Sequence, residues 1–313
     1  MNVFVAGATG VLGRPTVQAL VEAGHRVRGA ARRQHKAQIL RSLSAEPVAA
    51  DLLDPASVRL AIDGCDVVIN LATKIPPLTK MRSAKAWEEN DRLRTSASSI
   101  LADAAKLAGV RSYVQESITF IYADGGDEWL DEDSPLDVSW VSLQSMLNAE
   151  RVTEDFAGEG RPGVSLRFGA FYAAYAQSTV DSMRLARRRM FPVAGRGDNF
   201  FSSIHVDDAA SAVVASLGLQ SGAYNLVDDE PLTAREYATA LTKALGAPRP
   251  WSIPKWIFRL VAGSGPASYI LRSQRVSNAR FKQATGWAPR YPSAREGWRQ
   301  VASVMGSGAG GTK

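Results

Sequence analysis

The stretch that decides the fold is Val3-Phe4-Val5-Ala6-Gly7-Ala8-Thr9-Gly10-Val11-Leu12-Gly13, near the start of the chain. A short apolar run ends at Gly7, and apolar residues at helical spacing follow from Pro15 to Gly24, so the order is strand, glycine turn, helix. Glycine accepts positive φ and lets a phosphate approach the backbone, while the helix N-terminus offers free N–H groups to an anion. We predict that dinucleotide phosphates bind to Gly7, Thr9, Gly10, Val11, Leu12 and Gly13.

The alternation of strand and helix continues along the chain. Strands are predicted at 26–30, 47–50, 67–71 and 112–117, and helices at 37–43, from Pro55 and at 87–108. The apolar strands are continuous runs, which is typical of a parallel sheet buried on both faces. We therefore predict an α/β fold, a doubly wound parallel sheet of the Rossmann type, with a smaller mixed C-terminal substrate lobe.

Three regions are expected along the 313 residues. Residues 1–160 form mainly the dinucleotide-binding domain, and 161–305 contain returning Rossmann elements, including a strand at 164–168, together with the substrate lobe. The glycine-rich segment 306–313 is predicted to be a flexible tail. Within the first region, 123–137 contains seven acidic residues and no basic one, which indicates a solvated loop or the edge of a lid.

The charge of the chain is concentrated in one window. There are 37 basic and 31 acidic residues, and the stretch from Arg26 to Arg41 contains six bases and no acid, which equals the whole net charge of +6. The remainder balances to zero, so a nucleic-acid-coating protein is not expected. Arg32 and Arg33 follow the second strand, where NAD-binding sites usually have a carboxylate and a 2′-phosphate favours arginine. We predict NADP as the cofactor in preference to NAD, with Arg32 as the main contact.

Other classes of protein are excluded by composition. A single cysteine prevents an internal disulfide, and three separated histidines offer no metal-ligand spacing, so we predict no metal site. No apolar run reaches the length of a membrane span, and the chain begins directly with a strand. The expectation is a cytoplasmic protein with a small-molecule substrate and no membrane or nucleic-acid partner. A homodimer is compatible with the sequence.

Several motifs together resemble the extended or atypical short-chain dehydrogenase/reductase superfamily, in its NAD(P)-dependent epimerase/dehydratase-like branch. The resemblance covers about residues 1 to 300 and rests, besides the glycine turn, on Asp51-Leu52, Asn70-Leu71-Ala72-Thr73, 166–172 and 203–210. It implies that further cofactor contacts come from Asp51, Leu52, Leu71, Ala72, Thr73 and Phe168.

The same resemblance implies a catalytic serine, tyrosine and lysine, in which the lysine lowers the pKa of the tyrosine that transfers a proton. The positions expected for tyrosine and lysine hold Ser142 and Met146. A shift in register does not restore the pair, because no tyrosine lies between Tyr122 and Tyr172 and no lysine between Lys106 and Lys243. Ile118 occupies the usual position of the serine.

Three residues near the end of the fifth strand are candidates to act instead. Glu116 would face the nicotinamide cleft as an acid or base, unless it is an ion-paired glutamate. Ser117 replaces the catalytic serine if the local register differs. Tyr122 offers a phenol near the same cleft, unless its ring only packs against other side chains. We predict an NADP-dependent oxidoreductase acting on a small carbonyl or hydroxyl substrate with a non-standard proton donor. The alternatives are a cofactor-retaining isomerase, epimerase or dehydratase, and an inactive dinucleotide-binding sensor or regulator.

Overall fold

The structure is a computed structural model that describes residues 1–77, 80, 82–140, 143–158 and 160–308. A seven-stranded parallel sheet forms the centre of these ranges. With elements numbered in chain order, its strands are β1 (Asn2–Ala6), β2 (Arg26–Ala30), β3 (Glu46–Val48), β4 (Val67–Asn70), β5 (Ser112–Ile118), β7 (Gly163–Phe168) and β12 (Gly222–Leu226).

The strand order places a crevice beside β1. The order across the sheet is β12-β7-β5-β4-β1-β2-β3, so the chain moves outward from β1 to β3 and then returns to the other side of β1 at β4. Helices leave the carboxyl ends of β1 and β4 toward opposite faces, and ligands of open α/β sheets bind at such a switch point. The fold therefore directs a ligand to the ends of β1 and β4.

Helices cover both faces of the sheet. On one face lie α1 (Gly13–Glu22), α2 (Gln34–Ser42) and α8 (Val206–Ala215), and on the other lie α3 (Pro55–Ile62), α5 (Ser98–Leu107) and α6 (Gln144–Phe156). The helix α4 (Ala84–Arg92) continues into α5 through a π-helical turn, Leu93–Ala97. This three-layer arrangement confirms the predicted doubly wound α/β fold.

A smaller lobe follows, with its own apolar cluster around Tyr172, Leu241 and Trp298. Its helices are α7 (Gln177–Arg187), α9 (Ala234–Ala244), α10 (Lys255–Ala262), α11 (Ser264–Ile270) and α13 (Ala294–Gly308), while α12 (Ala279–Thr285) packs on β12. Short paired strands also lie outside the central sheet: β6 (Trp129–Leu130), β8 (Ala170–Tyr172), β9 (Val193–Ala194), β10 (Phe200–Phe201), β11 (Ser203–His205), β13 (Leu232–Thr233), β14 (Ser252–Ile253) and β15 (Arg275–Val276).

The acidic segment 123–137 is more firmly held than its composition predicts. Glu132 is buried, accepts a hydrogen bond from the Asn225 N–H at 2.8 Å and pairs with Arg280, while Asp137 pairs with Arg272. Two cations of the C-terminal region, Arg272 and Arg280, therefore hold this segment, and Asn225 joins it to β12. Charge composition alone does not reveal such partners. The last helix extends to Gly308, three residues into the predicted tail, and 309–313 lie outside the described residues.

Candidate active site

The glycine turn brings β1, α1 and the end of β4 into close contact. Gly7 has φ +75°, and a Cβ atom there would lie 2.5 Å from the Leu71 carbonyl oxygen. A Cβ atom at Gly13 would lie 2.1 Å from the Gly7 carbonyl oxygen. Neither position has room for a side chain, so both glycines are required by close backbone packing. The turn and the segment Leu71–Thr73 therefore border the same crevice.

The start of α1 is open to an anion. Leu12 precedes the helix without a side-chain cap, and no acidic residue lies in the first turn. Free N–H groups and the positive end of the helix dipole are thus available to a phosphate. Gly10 and Val11 are exposed, Thr9 is half-buried, and the Tyr175 hydroxyl group donates to the Val11 carbonyl oxygen at 3.3 Å. Tyr175 marks where the second lobe approaches the turn.

Arg32, which is predicted to contact a 2′-phosphate, lies beside Asp51, another predicted cofactor contact. The Arg32 guanidinium nitrogen Nη1 is 3.6 Å from the Asp51 carboxylate, and both side chains are about half exposed or more, at 66% and 49%. Arg33 is exposed directly before α2, and Leu52 packs at the margin of the core. The structure therefore brings Arg32 and Asp51 together at the ends of β2 and β3.

Phe168 occupies a different environment from the other predicted cofactor residues. It is fully buried at the end of β7 inside the core cluster that contains α1 and α8, and its ring lies 5.2 Å from that of Phe171. Leu71 and Ala72 are also largely buried, so they offer backbone rather than side chains to the crevice.

Glu116 forms a buried ion pair. Its Oε2 atom lies 2.5 Å from Arg94 Nη2, and the Arg94 side chain has no exposed surface. Arg94 Nη1 also donates to the Glu116 carbonyl oxygen at 3.1 Å. Burial raises the pKa of Glu116, and the Arg94 guanidinium opposes that shift. The π-helical turn is what places Arg94 here, next to the end of β5.

Ser117 and Tyr122 belong to one buried hydrogen-bond network. The Ser117 hydroxyl group donates to Glu150 Oε1 at 2.5 Å, and Arg167 holds both Glu150 oxygens at 2.9 and 2.8 Å. Arg167 Nη1 also donates to the Tyr122 hydroxyl oxygen at 2.8 Å, and that hydroxyl donates to Asn225 Oδ1 at 2.8 Å. Both hydroxyl groups thus donate their hydrogen bonds to acceptors inside the protein.

Burial keeps the Tyr122 phenol protonated. The ring has no exposed surface, and burial raises the pKa of Tyr122 to about 12 although the Arg167 guanidinium favours the phenolate. The position that corresponds to the missing lysine is Met146, which is buried on α6, whereas Ser142 lies outside the described residues. Met146 has no ionisable group with which to tune a phenol.

An aromatic group beyond β5 was not predicted. Phe120 follows β5, and its ring centroid lies 5.6 Å from that of Tyr269 on α11, which stacks on Trp140 at 4.8 Å with 9° between the planes. Burial raises the pKa of the Tyr269 phenol. Among the residues that the structure describes, none forms a hydrogen bond with this hydroxyl group. No motif surrounds Tyr269 in the sequence, so only the fold brings it to the end of β5.

Two negative observations concern the described ranges. No group of three His, Cys, Asp or Glu side chains there could hold a metal ion. No helix there is both long and apolar enough to cross a membrane.

The glycine turn at a switch point of a parallel sheet defines a dinucleotide-binding Rossmann protein. Residues 3–226 match the model of the NAD dependent epimerase/dehydratase family, and the chain belongs to this family. Its curated relatives include proteins named as reductases or as epimerase family proteins, so the chain is an NAD(P)-dependent oxidoreductase or epimerase. The resemblance inferred from the motifs is therefore confirmed.

Two curated relatives and two solved structures are similar to this chain. A Streptomyces 3-diazoavenalumate denitrifying reductase is 33% identical over 95% of this chain and 99% of its own length. A Shewanella oneidensis 2-alkyl-3-oxoalkanoate reductase is 28% identical over 79% of this chain and 67% of its own. The human epimerase family protein SDR39U1 with NADPH superposes with a TM-score of 0.83, at 22% identity, over 97% of this chain and 99% of that one. A Thermotoga maritima UDP-glucose 4-epimerase gives 0.81, at 18% identity, over 99% and 100%, and both likenesses show the fold.

Proposed function

We propose that the protein is an NADPH-dependent reductase that delivers hydride to an electrophilic carbon at the ends of β4 and β5. The observation that carries this proposal is the crevice itself, in which an uncapped helix N-terminus and Arg32 offer two anion sites at the ends of neighbouring strands. A pyrophosphate at α1 and a 2′-phosphate at Arg32 would fit that spacing of elements. The nicotinamide end of the cofactor would then extend toward β5.

Arg32 is expected to decide between NADPH and NADH. Arg32→Ser should weaken NADPH binding by about 10- to 100-fold, because hydrogen bonds to a charged group contribute about 1.5–3 kcal/mol, and should leave NADH binding unchanged. Titration of both cofactors by isothermal calorimetry measures this. Arg41→Ser is the matched control, since Arg41 is an exposed arginine of the same basic window. Equal NADPH affinity in the Arg32 variant would remove the basis for NADP.

The missing tyrosine and lysine favour a substrate whose reduction needs no proton donor. Nowhere in the chain is a tyrosine followed four residues later by a lysine. The Streptomyces relative is named for removing nitrogen from a diazo compound by reduction. With the substrate in its diazonium form, hydride bonds to the carbon while the carbon–nitrogen bond breaks, so that R–N₂⁺ and NADPH give R–H, N₂ and NADP⁺. No alkoxide forms, and no side chain has to supply a proton.

A carbonyl substrate is the second candidate, and one observation favours it. Hydride addition to a carbonyl group creates an alkoxide that must be protonated, and the Tyr269 phenol is a protonated donor with no internal acceptor in the described structure. Its ring contacts Phe120, two residues past the end of β5. Tyr269 would then supply from the C-terminal lobe the proton that family members take from the sheet domain.

Tyr269→Phe separates the two candidates. If the substrate is a carbonyl compound, kcat should fall by about 100-fold or more, the typical contribution of a positioned proton donor. If it is a diazo compound, kcat should change by less than about threefold, because hydride displacement alone completes that reaction. Steady-state kinetics with both substrate types measure this. Tyr224→Phe is the control, because the Tyr224 hydroxyl group donates to the Gln220 carbonyl oxygen at the far edge of the sheet.

The proposal also gives a role to the three residues that were candidates for catalysis. We assign Glu116, Ser117 and Tyr122 to positioning and stability rather than proton transfer, since their polar atoms contact Arg94, Glu150 and Arg167.

The alternative functions predict different outcomes. An epimerase would retain its cofactor through purification and give a product isomeric with the substrate. A sensor would bind NADPH without consuming it in the presence of any electrophile.

A further inference from the structure

We propose that the outer face of α10 docks on the surface of a membrane that contains anionic lipid. This face, the α10 patch, consists of large apolar side chains that are each at least half exposed: Met190, Trp251, Trp256, Leu260 and Val261. Leu260 and Val261 are 67% and 70% exposed, although both lie on a well-formed helix. Contiguous exposed apolar surface of this kind indicates an interaction site.

A hydrogen bond, a strand pair and a side-chain contact join the segments that carry the α10 patch. The Trp251 indole N–H donates to the Arg189 carbonyl oxygen at 2.8 Å, next to Met190, and β14 pairs with β9 in parallel. The Lys255 side chain, at the start of α10, packs over Gly195. The end of α7, the short β9–β14 pair and α10 therefore form one continuous face of the C-terminal lobe.

The two stretches of chain that carry the α10 patch contain basic residues but no acidic ones. Between Asp181 and Asp198, and again between Glu236 and Glu296, the chain contains no acidic residue. Some cations of the second stretch pair with carboxylates elsewhere: Arg272, Arg280, Lys282 and Arg295. The exposed cations around the patch form no ion pair within the described ranges: Arg188, Arg189, Arg249, Lys255 and Arg259. Asp198, the carboxylate that Lys255 influences, is already paired with Arg196.

This combination fits an anionic bilayer better than a second copy of the chain. A two-fold interface would place the same patch of each copy against the other, so the unpaired cations would face one another. Membrane-surface helices instead insert tryptophan and leucine between the lipid head groups while neighbouring lysines and arginines contact the lipid phosphates. On α10, Trp256 and Leu260 are one turn apart, and so are Lys255 and Arg259, which gives adjacent apolar and basic faces.

The α10 patch is connected to the candidate active site through the chain. Gly263, with φ +88°, separates α10 from α11, and α11 carries Tyr269 against Trp140. Docking of α10 would thus hold the membrane close to the helix that borders the substrate region. The inference does not depend on the proposed reductase activity, because the patch is defined by exposure and charge alone.

Vesicle co-sedimentation with the full chain tests this inference. We expect binding to vesicles of phosphatidylcholine with phosphatidylglycerol, little binding to phosphatidylcholine alone, and weaker binding at high salt. Arg259→Glu/Leu260→Ser should weaken binding by at least about tenfold, since each cation near an anionic surface contributes about fivefold and the leucine adds to it. Lys255→Glu/Trp256→Ser should have a similar effect, and thermal melting confirms that both variants are folded.

The chain contains a matched control in the same residue order. Arg59→Glu/Leu60→Ser changes an exposed arginine and leucine on α3, outside the patch, and should leave vesicle binding unchanged. Absence of wild-type binding to anionic vesicles, or an equal loss in the α3 variant, would overturn the proposal. So would sedimentation of the wild type as a dimer that the α10 variants convert to monomer, because the patch would then join copies of the chain.

Discussion

Gly13→Ala is expected to abolish measurable NADPH binding. The added Cβ atom would lie 2.1 Å from the Gly7 carbonyl oxygen and 2.8 Å from the Ala8 carbonyl carbon, so the turn has to move away from the start of α1. Because both contacts are to backbone, no side-chain rotation relieves them. Moving the turn separates the N–H groups that would hold the pyrophosphate, and we expect affinity to fall by at least about 100-fold, or about 2.7 kcal/mol.

Gly24→Ala is the control for this variant. Gly24 lies just past the other end of α1, with φ +82°, and a Cβ atom there meets nothing within 4 Å. This change should lower stability by about 1–2 kcal/mol through its left-handed backbone but leave NADPH affinity as in the wild type. Calorimetric titration and urea unfolding of both variants measure the two effects. Unchanged NADPH binding by Gly13→Ala would show that the cofactor lies elsewhere.

Arg94→Met is expected to destabilise the protein by about 3–5 kcal/mol near neutral pH, because it leaves the buried Glu116 carboxylate without its partner. The cost should depend on pH. Burial already raises the pKa of Glu116, and without Arg94 nothing opposes that shift. The folded variant would therefore hold a proton that the unfolded chain releases, and it should be least impaired below the ordinary glutamate pKa and lose stability as pH rises.

Urea unfolding at several pH values measures this effect, with Arg92→Met as a control at an exposed arginine at the end of α4, two residues before Arg94. If Glu116 were the catalytic acid or base, Glu116→Gln would remove activity and leave stability nearly unchanged. If it acts as an ion-pair partner, Glu116→Gln should destabilise the fold through the unpaired Arg94. A wild-type unfolding curve for Arg94→Met would contradict the structural role.

The sequence predicted the elements whose signals are local. The turn from Gly7 to Gly13, the arginines after β2 and the strand predicted at 164–168 each depend on neighbouring residues, and the structure contains them where expected. The buried pairs were not predictable in this way. Ser117 and Glu150 are 33 residues apart, and nothing in either segment identifies the partner.

The same limit applies to the aromatic group and to the α10 patch. Tyr269 reaches the end of β5 only because α11 folds back over Trp140, a contact between segments that share no motif. The net charge also gave no sign of the acid-free stretch between Glu236 and Glu296, because its cations are balanced in the total by acids located elsewhere in the sequence. Charge totals identify the Arg32 window but not how the remaining charges pair.

Hydride transfer itself is tested most directly by isotope labelling. The protein is incubated with NADPH carrying deuterium at the transferable position of nicotinamide C4, with 3-diazoavenalumate in one reaction and a 2-alkyl-3-oxoalkanoate in another. We predict that NADPH is consumed with at least one of them and that the product carries deuterium at the carbon attacked, with release of N₂ from the diazo compound. Products that contain only solvent hydrogen, or NADPH that stays unoxidised with both compounds, would contradict the proposed reductase.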